Sequence, residues 1–147
     1  MSGEELAEII KSDKLPNKDY LVIDVRDDDW IGGNIKGSRN IPSLTFSATV
    51  GELVTEVKDI PTIIFHCALS QLRGPKAAQI YERERLSITV TPSDEEGLTF
   101  PDQKIYVLRG GFVQFQEQFR HDPALVENWD GATWEIDSLV DDFEFSS

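Results

Sequence analysis

Residues His66 to Gly74 read HCALSQLRG. They hold the chain's single cysteine, a histidine directly before it and an arginine six positions after it. A lone cysteine can serve as a small buried hydrophobe, a metal ligand or a nucleophile. The count excludes a zinc cage built from two or more cysteines, and it excludes an internal disulfide. The choice among the remaining roles depends on the elements that hold the segment.

Upstream, PTIIFHC has the unbroken apolar character of a buried strand, and it ends at His66. Downstream, GPKAAQIYERERL reads as a helix from Gly74. Pro75 falls in its first turn, where a missing N–H costs little, and Ala77, Ile80 and Tyr81 form its inner face. Cys67 therefore stands at the carboxyl end of a strand and faces a helix N-terminus. Loop amides and the helix dipole converge there into an anion site, and the same field favours a thiolate. Arg73 adds a planar fork of donors matched to two oxygens of a tetrahedral oxyanion. Ser70 can donate a hydrogen bond to the sulfur or to a leaving group. The Cys-x5-Arg spacing at a strand–loop–helix junction favours a reactive nucleophile over inert packing.

The rest of the chain supplies the frame. SGEELAEIIKS reads as a helix, with Ser2 and Glu5 at capping-box spacing and Leu6, Ile9 and Ile10 on one face. YLVIDV is a second buried strand, with Asp24 and Arg26 at its end. A glycine-rich loop leads to a short strand around Asn40 to Pro42. A helix is then expected from Thr49, which has capping-box spacing to Glu52, with Val50, Leu53, Val54 and Val57 as its stripe. TPSDEEGLTFPDQ is an acidic loop. KIYVLRGG is expected as a third buried strand, and FVQFQEQF as a helix with Phe112, Phe115 and Phe119 on one side. Strands alternating with helices imply an α/β fold around a parallel sheet, with ligands beyond the carboxyl ends of the strands.

With 147 residues, one domain with a sizeable core is expected. A net charge of −13 argues against nucleic acid and anionic membranes as partners. No apolar run reaches spanning length, and MSGEELAEII is neither a secretory signal nor an Arg-rich transit peptide. The expectation is an intracellular protein, cytoplasmic or nuclear, with its thiol kept reduced. No metal site and no bound cofactor are expected, and a monomer is favoured.

HC-x5-RGP resembles the active loop of the rhodanese-fold Cys phosphatases that activate cyclin-dependent kinases, and of their relatives, the eukaryotic arsenate reductases. VIDVRDDDWIGGNIKGSRNIP is similar to the family's Asp-x-Arg strand end, its Gly-Gly-x-Ile-x-Gly turn and its short second strand. YVLRGGFVQF is similar to its strand–Gly-Gly-Phe–helix element. Small stand-alone fungal and plant members look closest. The resemblance implies a rhodanese-like three-layer α/β/α domain over residues 1–134, with a central, mostly parallel sheet of about five strands. Residues 135–147 form an acidic C-terminal segment, either packed through Trp129 and Trp134 or a free tail. It further implies Cys67 as nucleophile, Arg73 as oxyanion clamp, and the amides of Ala68, Leu69, Ser70, Gln71, Leu72 and Arg73 as the cradle. His66 would orient the loop, and Asp24 would tie the strand end to neighbouring loops. Gly110 and Gly111 would let the backbone turn tightly beside the active loop.

Within this family, sulfurtransferases have a loop of six residues counted from the cysteine. Cys67 to Arg73 makes seven, which suits phosphate or arsenate and argues against sulfur transfer. The expected activity is a tyrosine or dual-specificity phosphatase acting through a cysteinyl-phosphate on a phosphoprotein. The alternative is an arsenate reductase that draws a second thiol from external glutathione and glutaredoxin. A third reading is a non-catalytic rhodanese binding module, against which the intact Cys67 and Arg73 speak. The chain departs from the family at four places. Leu72 replaces the acid that precedes the loop arginine in the mitotic phosphatases, and Val25 replaces a second, rescuing cysteine. Asn34 replaces a histidine, and the plant zinc cysteines are missing. Asp27 to Asp29, Glu95 and Glu96, on loops, or a proton on the substrate are the candidate sources of the leaving group's proton, and a solvated surface is the favoured reading of each of those acids. Arg39 and Arg109, near strand ends, can flank the active loop.

Overall fold

The computed structural model describes residues 1–27, 32–70, 72–90 and 101–131. Among the described residues, four helices and the four strands of the main sheet follow in the order α1 (Gly3–Lys11), β1 (Tyr20–Asp24), β3 (Arg39–Asn40), α2 (Ser43–Glu56), β4 (Thr62–His66), α3 (Arg73–Val90), β5 (Lys104–Val107) and α4 (Gly111–Phe119). Two further short strands, β2 (Asn34–Ile35) and β6 (Val126–Glu127), pair antiparallel in a separate ribbon. The sheet order is β3-β1-β4-β5, with every pairing parallel.

Side-chain alternation along the two central strands builds the three layers. Leu21 and Ile23 of β1 and Ile63 and Phe65 of β4 join Phe46, Val50, Leu53 and Val54 of α2 and Ala77 and Tyr81 of α3. Tyr20, Val22 and Ile64 point to the other face, where they join Leu6 of α1 and Phe112 and Phe115 of α4. Strands covered on both faces must be apolar throughout, which is why YLVID is buried at all five positions.

The α/β sandwich matches the expectation, with four strands among the described residues instead of about five. Beyond β5, Met1 pairs with the edge. Its amino group donates to the Val107 carbonyl (3.1 Å) and its carbonyl accepts from Arg109 N–H (2.8 Å), a one-residue parallel bridge. As the strand nearest this edge, β5 is only partly buried, a correction to the third buried strand expected there.

α2 begins at Ser43, six residues before the expected start. Thr49 lies inside the helix, its hydroxyl bonded back to the Thr45 and Phe46 carbonyls. Pro42 supplies the fixed φ at the N-cap, and Phe46 extends the apolar stripe backwards, so the Thr49–Glu52 spacing caps nothing. α3 runs past Leu86 because Ile88 still packs on the core. The capping box of Ser2 and Glu5 at α1 forms as expected. No helix among the described residues is long and apolar enough to cross a membrane.

Candidate active site

Strand alternation continues one residue past β4 and sets the site. Cys67 follows Ile63 and Phe65 toward α2 and α3, whereas His66 turns to the opposite face and stacks on Phe112 of α4. Both are buried. The chain then turns at residues 67–70, and α3 opens at Arg73. Ser70 takes a left-handed backbone (φ 56°), which only a tight loop imposes on a residue with a β-carbon. That turn brings the Ser70 N–H to the Cys67 Sγ at 3.1 Å, and the Ser70 hydroxyl to within 3.4 Å of the Cys67 N–H. An amide aimed at sulfur donates it a hydrogen bond and fixes where the nucleophilic atom sits.

The carbonyls of this turn are drawn outward. Cys67 O accepts Phe112 N–H (3.0 Å), and Ala68 O accepts Val113 N–H (3.0 Å), so the first amides of α4 hold the loop. Gly111 makes this approach possible. At φ +60°, a β-carbon on it would lie 2.3 Å from the Ala68 oxygen and 2.6 Å from the Cys67 oxygen. Gly110, at φ +77°, is the left-handed N-cap of the same helix.

His66 Nδ1 lies 3.1 Å from the Cys67 carbonyl. A carbonyl only accepts, so Nδ1 carries the proton. Burial pushes the His66 pKa below its ordinary value, against the opposing pull of Asp24 and of that hydrogen bond. The ring is therefore neutral, and its Nε2 faces Asp24 Oδ2 at 3.9 Å without a hydrogen-bond partner. Asp24 is fully engaged elsewhere. Its carboxylate takes the Arg26 N–H (2.9 Å) and the guanidinium (2.7 Å from Nη2), while its carbonyl accepts from Asn40 and Ile41. Arg26 also donates to Gly33 O (2.8 Å) and lies 4.4 Å from the Phe112 ring centroid. The Asp-x-Arg pair thus clamps the end of β1 to the Gly-Gly turn and to α4.

Arg73 reaches across the loop mouth to Asp27, Nη1 to Oδ2 at 3.3 Å. Asp27 Oδ1 accepts Leu44 N–H (3.0 Å), and Oδ2 accepts the Ser43 hydroxyl. Desolvation works to raise the Asp27 pKa, but the bonds from Ser43, Leu44 and Arg73 outweigh it and hold the carboxyl below its usual range. Asp27, expected as a free acid on a loop, is an ionised partner of Arg73 and of α2. This pairing spans 46 positions and leaves no mark in the local sequence.

Leu72 is 80% exposed and Leu69 half-buried at the rim. Gln71, Asp28, Asp29, Glu95, Glu96, Trp134 and the segment 135–147 lie outside the described residues. Arg39 pairs with Glu56 at the far end of α2, away from the loop, and Arg109 is exposed, its N–H bonded to the Met1 carbonyl. Trp129 anchors to α4 through Gln116 Oε1 (3.1 Å). No cluster of metal-binding side chains occurs among the described residues.

A family model for the rhodanese-like domain matches residues 2–118. The dual specificity phosphatase ibp1 of Schizosaccharomyces pombe is 37% identical over 119 residues, covering 76% of this chain and 85% of that protein. Arsenate reductase 2.1 of Oryza sativa is 36% identical over 97 residues, covering 65% of this chain and 56% of that protein. Among solved structures, the As-Sb reductase from Leishmania major superposes with a TM-score of 0.65 at 28% identity. That match covers 96% of this chain and 97% of that one.

Proposed function

The chain belongs to the rhodanese-like domain family, and from that premise we propose that it is a cysteine-dependent phosphatase of the tyrosine or dual-specificity type. The observation that carries the reading is the Ser70 N–H directed at Cys67 Sγ from a loop that ends in Arg73 at the head of α3.

In this mechanism the Cys67 thiolate attacks phosphorus in line with the leaving oxygen. The S–P bond forms as the P–O bond breaks. Arg73 and the loop amides, Ala68 to Arg73, stabilise the three equatorial oxygens, where charge accumulates. Water then attacks the cysteinyl-phosphate, releasing phosphate and restoring the thiolate. His66, Asp24, Gly110 and Gly111 act by holding the loop. Asp27 is ionised and committed to Arg73, so the leaving group takes its proton from elsewhere, with the substrate's own phosphoryl proton as the source at hand. The reading needs no bound cofactor. It places the protein in the cytoplasm or nucleus, where Cys67 stays reduced. Hydrolysis of p-nitrophenyl phosphate tests it: the wild type turns over and Cys67→Ser does not. Equal turnover by both proteins, or none by a wild type whose thiol titrates as reduced, refutes it.

One observation favours a second reading. Among the described loop residues none is acidic, and Leu72 stands where a protonating acid would help a leaving alkoxide. Arsenate loses only water or hydroxide, so it asks less of such an acid. Attack of Cys67 on arsenic forms a thiol–arsenate adduct. A glutathione thiol then supplies the second sulfur, arsenic gains two electrons, and the resulting mixed disulfide passes to glutaredoxin. Arsenate-dependent NADPH oxidation with glutathione, glutathione reductase and glutaredoxin decides between the two.

A further inference from the structure

Asp27 is the first of three consecutive acids, and in sequence it looks like part of a solvated run. In the structure it has two duties. The first turn of α2 has no acid of its own, and Pro42 at the N-cap offers no side-chain bond. Asp27 supplies the missing cap from another part of the chain, through Leu44 N–H and the Ser43 hydroxyl. Its Oδ2 also meets the Arg73 guanidinium. The carboxylate is anchored by the helix end, whereas Arg73 sits on a long side chain at the mouth, with about a third of it exposed.

We propose that Asp27 is a resident counter-ion of the anion clamp: its carboxylate engages one edge of Arg73 and opposes an incoming oxyanion, weakening anion binding. The proposal rests on the reading of Arg73 as the clamp. A fixed negative charge against the same guanidinium raises the free energy of a bound dianion. At a partly buried mouth, salt screens that repulsion less than it would on an open surface. Asp27 is thus a positioning residue acting through Arg73. Its effect is to keep inorganic oxyanions, including product phosphate, from saturating the loop.

Asp27→Asn removes the charge and keeps the cap, since asparagine is as good an N-cap as aspartate. Tungstate, a tetrahedral oxyanion without a leaving group, is the probe, titrated calorimetrically at pH 7 and low salt. Asp27→Asn is expected to bind it about tenfold more tightly than wild type, the size of one close charge interaction. Ser43→Ala, which loses a cap bond but keeps the charge, is expected to stay within about twofold of wild type. Structural damage would lower affinity, so a gain separates the proposal from a capping role. Unchanged or weaker binding by Asp27→Asn, with Arg73→Ala still abolishing it, overturns this proposal and leaves the clamp reading intact. Tungstate affinity that Arg73→Ala does not reduce overturns both.

Discussion

Replacing Gly111 with alanine puts one methyl group where two carbonyl oxygens already stand. The added β-carbon would lie 2.3 Å from Ala68 O and 2.6 Å from Cys67 O, both backbone atoms that cannot rotate away. The left-handed φ of +60° adds about 1–2 kcal/mol for any residue with a β-carbon. Relief requires α4 to retreat from the loop, which breaks the bonds from Phe112 N–H and Val113 N–H, worth about 0.5–1.5 kcal/mol each. The total is about 2–5 kcal/mol. For a chain of this size that lowers Tm by roughly 6–15 °C. Gly110→Ala is the control. Its φ of +77° carries the same backbone strain, but its new methyl meets only the Gln114 side chain, which can swing aside. Thermal denaturation followed by circular dichroism, with p-nitrophenyl phosphate turnover measured at 20 °C, gives both readouts. Gly111→Ala should lose more stability than Gly110→Ala and nearly all activity. Equal Tm values for the two variants, with activity retained in Gly111→Ala, would refute the close-approach argument.

Three further outcomes follow from the same geometry. Arg26→Met leaves the Asp24 carboxylate buried without its guanidinium, and urea titration should show a loss of about 3–5 kcal/mol. Burial raises the Tyr81 pKa, against smaller opposing effects of Gln103 and Arg85, to about 12. The native state therefore holds that proton more tightly than the unfolded chain, and the stability it contributes is complete below pH about 10 and lost as pH rises toward 12. Tm measured across that window should fall less steeply in Tyr81→Phe, which at neutral pH costs about 1–2 kcal/mol because Gln103 Oε1 loses its partner. Leu72→Ala, at a position 80% exposed, should move Tm by no more than about 2 °C, as a surface substitution within about 0.5 kcal/mol does.

Strand and helix assignments were legible where burial dictates pattern. YLVID and TIIFH are unbroken apolar runs because both faces of the sheet are covered, and the strand expected to end at His66 is β4, which does. Legibility failed where a contact from far along the chain replaces a local signal. The start of α2 is one case: its cap is Asp27, so a search for a local capping box finds Thr49 instead. The ribbon of β2 and β6 is another, since two-residue strands joined across some 90 positions carry no period. At the site, Cys67 to Arg73 and the Gly-Gly pair were visible as motifs, because a tight loop and a close backbone approach restrict residue types locally.

The sequence by itself determined the layered α/β class, the family and the placement of Cys67 at a strand end. These follow from hydrophobic pattern, glycine positions and spacing, all properties of neighbouring residues. Only the tertiary structure decided what surrounds that cysteine. The loop carbonyls are held by α4, His66 is kept neutral behind them, and Arg73 is met by a carboxylate from 46 positions away. The physical reason is that charge and hydrogen-bond interactions act through space between groups that the fold brings together, whereas periodicity and turn chemistry act along the chain.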